Sequence, residues 1–183
     1  LSRLTELLRG PERAPVWIAL GTLYASELED RSRARHCFAR AIDDDPFQPL
    51  AVEWSLLLAT TDEDWEAVSE LLERRFDLAS GARHRAAIAV EASQIQLNHL
   101  QSTAAARAWI ERAVELSSEE TSVLLALAEV ERADGDHDAL LEILDKLITL
   151  SGDHTPRGSL IEAAELHARF GNSETALETI RRA

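Results

Sequence analysis

Apolar positions in this chain recur at helical spacing, and they do so in sets. Ala34, Phe38 and Ala41 are four and then three residues apart, which stacks them on one helix face. The same spacing returns at Ala67, Leu71 and Arg74; at Ala106, Ile110 and Ala113; at Leu140, Leu144 and Leu147; and at Ala176, Ile180 and Ala183. Ahead of each trio runs a second helical face. Its members are Trp17, Leu20, Gly21 and Tyr24; Ala51, Trp54, Ser55 and Leu58; Ile88, Ala92 and Ile95; Leu124, Leu127 and Ala128; and Leu160, Ala163 and Ala164. In each set the residue four after the leader is small: Gly21, Ser55, Ala92, Ala128 or Ala164. A small side chain lets a paired helix approach closely, and large neighbours fill the space on either side. The pattern predicts five successive pairs of interlocking helices, and self-similarity at this period marks a repeat array. Trp65 and Trp109 fall just outside the trios, where a large ring either covers a seam between helices or stands exposed as an anchor for a partner.

Helix-start signals fit the same scheme. Ser117 with Glu120 and Ser159 with Glu162 read as capping boxes, and Asp62, Asp136 and Ser173 sit where second helices are expected to begin. The acid clusters Asp43 to Asp45, Asp62 to Glu66 and Asp134 to Asp138 then fall mainly at turns and helix starts, where carboxylates complement the helix dipole.

The first set resembles the tetratricopeptide repeat (TPR), whose signature runs W-x2-L-G-x2-Y, then A-x3-F, then a late Pro, over about 34 residues. Trp17, Leu20, Gly21, Tyr24, Ala34, Phe38, Ala41 and Pro46 match it in order, with one extra residue in the turn. The fourth and fifth sets carry turns familiar in that family, Gly135-Asp136-His137 and Gly171-Asn172-Ser173. Departures are local: Arg74 stands where an alanine is usual, Glu91 where a leucine is usual, and Glu131 and His167 replace the aromatic.

The resemblance implies an all-α fold, a right-handed α-solenoid of helix-turn-helix repeats at 14–46, 48–78, 82–117, 119–150 and 156–183, the last incomplete. Residues 1–10, with Leu1, Leu4 and Leu8 on one face, read as the helix of a preceding partial repeat or cap. It also implies that the first helix of each pair lines a concave groove that takes a peptide or helix. The residue after each leader and the one four further on then face that groove: Ile18 and Thr22, Val52 and Leu56, Ala89 and Ser93, Leu125 and Glu129, Ile161 and Glu165. The line is apolar near its start and mixed with acid towards its end, which suits an amphipathic segment with a basic flank. One branch of the family clamps a C-terminal carboxylate with Lys, Asn and Arg. Ile18 and Thr22 occupy the places where the first Lys and Asn are needed, which argues against that activity.

Composition changes the picture only by exclusion. With 45% hydrophobic and 28% charged residues the chain is an ordinary folding sequence, and the scarcity of Gly, Pro and β-branched runs disfavours sheets. Apolar stretches are broken by Glu53, Glu91 and Glu129, short of the 18 or so residues of a membrane span. The formal net charge of −14 repels phosphate backbones, so no nucleic-acid partner is expected. Cys37 is the sole cysteine, which forbids an internal disulfide and fits a reducing cytoplasm. The chain opens at Leu1 and contains no Met, as expected of a piece of a longer protein.

No catalytic, cofactor or metal site emerges. The aspartates at 134, 136 and 138 alternate like calcium ligands, but Gly135 is misplaced and no closing Glu follows. The six histidines lack a metal-gripping pair, His36 and Cys37 are adjacent on a helix and diverge, and no phosphate-binding glycine motif is present. The chain therefore reads as a non-enzymatic scaffold or adaptor. The alternative is a regulatory or sensor array within a larger multidomain protein, with self-association.

Overall fold

The computed structural model describes residues 8–183. Among them are ten α-helices: α1 (Ala14–Ser26), α2 (Arg31–Asp44), α3 (Pro49–Thr61), α4 (Trp65–Leu78), α5 (Ala82–Asn98), α6 (Thr103–Ser117), α7 (Thr121–Asp134), α8 (His137–Ser151), α9 (Arg157–Arg169) and α10 (Ser173–Arg182). Short 3₁₀ turns at Gly10–Arg13 and Gly152–His154 precede α1 and α9, and no strand occurs among the described residues. Of the helix expected over 1–10, residues 1–7 lie outside the described residues, and Leu8 and Arg9 are not helical. The chain forms two compact units, one ending at Ser80 and the other beginning at Gly81. The first stacks α1 with α2 and α3 with α4; the second pairs α5 with α6, α7 with α8 and α9 with α10.

Every pair is closed by the same turn. The residue before the second helix's N-cap has positive φ: Glu29 (50°), Glu63 (57°), Gln101 (51°), Gly135 (76°) and Gly171 (85°). The N-cap residue then donates its backbone N–H back to the first helix. Asp30 donates to Tyr24 O at 2.9 Å, Asp64 to Ala59 O at 3.0 Å, Ser102 to Gln96 O at 2.9 Å, Asp136 to Glu131 O at 3.1 Å, and Asn172 to His167 O at 2.8 Å. Left-handed backbone followed by a bond reaching five or six residues back satisfies carbonyls that a helix end leaves orphaned. Asp30, Asp64 and Asp136 also cap with their side chains, accepting from the N–H three residues on at 3.0, 3.3 and 3.0 Å.

The expected caps need correcting in part. Asp62 ends α3, and Asp64 caps α4. Ser117 is the last residue of α6 and Ser159 lies inside α9, so neither forms a capping box. Ser173 opens α10 behind the N-cap Asn172.

This turn fixes the register of both helices. Four residues after each N-cap comes the first buried position of the second helix: Ala34, Val68, Ala106, Leu140 and Ala176. The second trio therefore starts at Val68 and continues through Leu72, with Phe76 one turn further on, all buried; Ala67 and Leu71 are half-buried and Arg74 is exposed. Arg75 takes the third position and pairs with Glu53 at 2.8 Å. The carbonyl that receives the cap bond marks the signature's aromatic position, so Tyr24, Ala59, Gln96, Glu131 and His167 are equivalent. Counting back seven residues gives leaders Trp17, Val52, Ala89, Leu124 and Leu160. The second and third leaders thus sit one residue later than Ala51 and Ile88.

The helices of the first pair approach closely. A Cβ on Gly21 would lie 2.6 Å from Cε1 of Phe38. Phe38 has no exposed surface and stacks on Trp54 of α3 with centroids 5.6 Å apart. The equivalent of Gly21 in α5 is Ser93, whose hydroxyl donates to Ala106 O on α6 at 3.0 Å.

Candidate binding surface

The shifted register decides which side chains of the first helices remain available. Val52 and Leu56 are 1% and 8% exposed, and Ala89 and Ser93 are 0% and 1%. They occupy the leader and small-residue positions of their helices, which face the paired helix. These four are corrected as groove residues, because one residue of slip rotates a helical side chain by about 100°. Ile18 is also 8% exposed and belongs to the first unit's core with Phe38 and Val52. Thr22 is half-buried and returns its hydroxyl to Ile18 O at 2.9 Å.

In the register set by the turns, the second and third pairs present Glu53 with Leu57 and Val90 with Gln94. Leu57 is 55% exposed, Glu53 and Gln94 are exposed and Val90 is half-buried. In the last two pairs the leaders are unshifted; of the residues that follow them, Leu125 and Glu129 are half-buried, and Ile161 and Glu165 are exposed. Each set holds one aliphatic side chain and one polar one, three of them glutamates and none basic. In the second unit Ile161 and Glu165 line an open cleft of about 470 Å³ with Arg132, Pro156 and Glu162. Arg132 is held by both oxygens of Glu162 at 2.7 and 2.6 Å, so its charge is already matched.

Sequence reasoning placed the second and third leaders one residue early, although a signal for the second was present. Asp64 stands four residues ahead of Val68 just as Asp30 stands four ahead of Ala34, and that spacing identifies the cap.

At the aromatic position the later repeats substitute buried polar groups with partners. Glu131, 5% exposed, accepts two bonds from Arg107 of α6 at 2.8 and 2.6 Å. Arg107 also reaches Asp134 at 2.6 Å, and hydrogen bonds to both carboxylates, Glu131 first, hold its guanidinium pKa above the usual value. His167, 6% exposed, lies 2.9 Å from Asp145 of α8 through Nε2.

The other singled-out residues fall as follows. Trp109 is buried at 6% under the Arg112 guanidinium, 4.1 Å above its ring; Trp65 is half-buried. Cys37 is buried, which pushes its thiol pKa up, while exposed His36 meets Trp17 edge-on at 6.3 Å. A buried thiol pointing away from its neighbour lacks the geometry of an activated nucleophile. No helix of the described residues is long and apolar enough to cross a membrane.

Paired helices, a common turn and stacking within each unit define a helical-repeat protein. Sequence comparison finds no matching family model and no matching curated relative, whereas solved structures share the fold. YrrB, a TPR protein with an unusual peptide-binding site, aligns with a TM-score of 0.62 at 17% identity, covering 91% of this chain and 82% of its own. MamA aligns at 0.66 and 14% identity over 93% and 90%. A tetratricopeptide repeat protein from Parabacteroides merdae aligns at 0.56 and 16% identity over 94% and 64%. The chain has the tetratricopeptide-repeat fold.

Proposed function

We propose that this chain is a protein-interaction scaffold that binds a peptide or amphipathic helix of another protein along the exposed face of the first helices of its second unit, α5, α7 and α9. The observation that carries this reading is the composition of that face. In the second unit Val90, Leu125 and Ile161 each sit one helical turn from Gln94, Glu129 or Glu165, so apolar positions alternate with polar ones, two of them acidic. Apolar burial supplies affinity, at about 25 cal/mol per Å². The glutamates select a basic flank and speed its approach. YrrB, with the same fold, is described as binding a peptide, in keeping with such a use.

The test is a panel of amphipathic peptides carrying Lys or Glu flanks, titrated against the whole chain. Lys-flanked peptides should bind more tightly, with an advantage that fades at high salt as surface charges are screened. Leu125→Ser with Ile161→Ser should weaken binding at least tenfold, about 1.4 kcal/mol. Equal affinity for both flanks together with unchanged binding by the double variant would refute the reading.

A further inference from the structure

The second repeat lacks the side chain that its own signature calls for. Its aromatic position is Ala59 and its leucine position Ser55, against Tyr24 and Leu20 in the first repeat. At the two later junctions this position is filled from the first helix and gripped from the preceding second helix, as Glu131 by Arg107 and His167 by Asp145. The matching residues of α2 are Arg35 and Ala39. Arg35 is drawn away to Asp62, and Ala39 has nothing to offer.

The result is a cavity of about 270 Å³ on the second-helix side of the first unit, lined by Ile42, Ser55, Ala59, Ala67 and Leu71 with exposed Ala39 at its mouth. An apolar cavity of about 150 Å³ suffices for a benzene ring, so this one accommodates a phenol or indole with its methylene. Asp43, Asp64, Glu70 and Arg74 stand around it, three carboxylates against one guanidinium, with Arg40 4.0 Å from Asp43 outside the lining. The other arginine of the lining, Arg35, already faces Asp62.

We propose that this cavity is a second binding site, which takes an aromatic side chain of a partner protein flanked by basic residues and so receives in trans the ring that Ala59 omits. The site lies on different residues from the first-helix face and does not depend on it. The acidic rim favours Lys or Arg beside the ring, because like-charged neighbours would be repelled at close range.

The experiment follows the alanine methyl signals of the whole chain by NMR. It uses 4-methylphenol and indole as ring probes, then Ac-Lys-Tyr-Lys-NH2 against Ac-Glu-Tyr-Glu-NH2. Saturable shifts at Ala39, Ala59 and Ala67 are expected, with the Lys peptide binding at least threefold more tightly and losing that lead at high salt. Ala59→Tyr should fill the cavity from within, abolish the shifts and raise the melting temperature; Ala39→Leu closes the mouth and serves if the first variant does not fold. Leu125→Ser should leave the ring-probe shifts unchanged, which separates this site from the first-helix surface. Absence of saturable shifts, their survival in the filled variants, or equal binding of the two peptides would overturn the proposal.

Discussion

Gly21 of α1 and Phe38 of α2 occupy each other's space so closely that a methyl group on the glycine would meet three ring atoms at 2.6 to 2.9 Å. The ring has no room to retreat, being fully buried and stacked on Trp54 at an interplanar angle of 4°. Gly21→Ala gains about 1 kcal/mol of helix propensity but forces a methyl into a packed core at about 1 to 3 kcal/mol. Contacts under 3 Å make the second effect larger, and the variant should be less stable by about 1 to 2 kcal/mol. Phe38→Leu in the same chain should relieve the clash, and a double-mutant cycle by urea denaturation should show the coupling. Additive effects would mean that the two positions do not share the constraint.

The register of the second repeat separates two adjacent leucines. Leu56 is 8% exposed and Leu57 is 55% exposed. Leu56→Ser should cost about 3 kcal/mol or more through a cavity and a buried hydroxyl. Leu57→Ser should stay within about 0.5 kcal/mol. Thermal melts of the two variants decide it, and reversed sensitivities would restore Leu56 to the surface.

Three of the five turns place a side-chain-bearing residue in left-handed backbone, Glu29, Glu63 and Gln101. That conformation strains a non-glycine residue by about 1 to 2 kcal/mol, partly offset because glycine is more flexible when unfolded. Glu63→Gly and Gln101→Gly should therefore each stabilise the chain by about 0.5 to 1 kcal/mol. Gly135→Ala should destabilise it by a similar amount. Chemical denaturation midpoints test the three together.

Two arginines at equivalent positions should differ in weight. Arg107 neutralises Glu131, whose side chain is 7% exposed, whereas Arg35 pairs with Asp62, which is 25% exposed. Removing one partner of a buried pair strands the other charge at about 3 to 5 kcal/mol; breaking a surface pair costs about 0 to 1 kcal/mol. Arg107→Ala should thus loosen the third and fourth repeats, read as faster hydrogen exchange in α6 and α7. Arg35→Ala should leave α2 and α3 close to unchanged. Glu131→Gln in the Arg107→Ala background should recover part of the loss, since a neutral amide is cheaper to bury than a carboxylate.

The sequence by itself determined the helix-turn-helix repeat and its class, because 3.6-residue periodicity and the matching of small with large residues are local properties that survive translation along the chain. Trp17, Gly21, Tyr24 and Phe38 carried that reading, and the cap at Asp136 was legible for the same reason. Tertiary structure decided the rotation of α3, α4 and α5. Leu50, Ala51, Val52, Trp54, Leu56, Leu57, Leu58 and Ala59 surround α3 almost completely, so no polar face pins its orientation. Its register is set instead by the bond from the Asp64 N–H to the Ala59 carbonyl, a backbone contact announced in the sequence only by the cap residue Asp64. Third-repeat register depends likewise on one extra turn residue between Gln96 and Ser102. Which leucines stay exposed, and where Ala59 leaves a cavity, follow from those two turns.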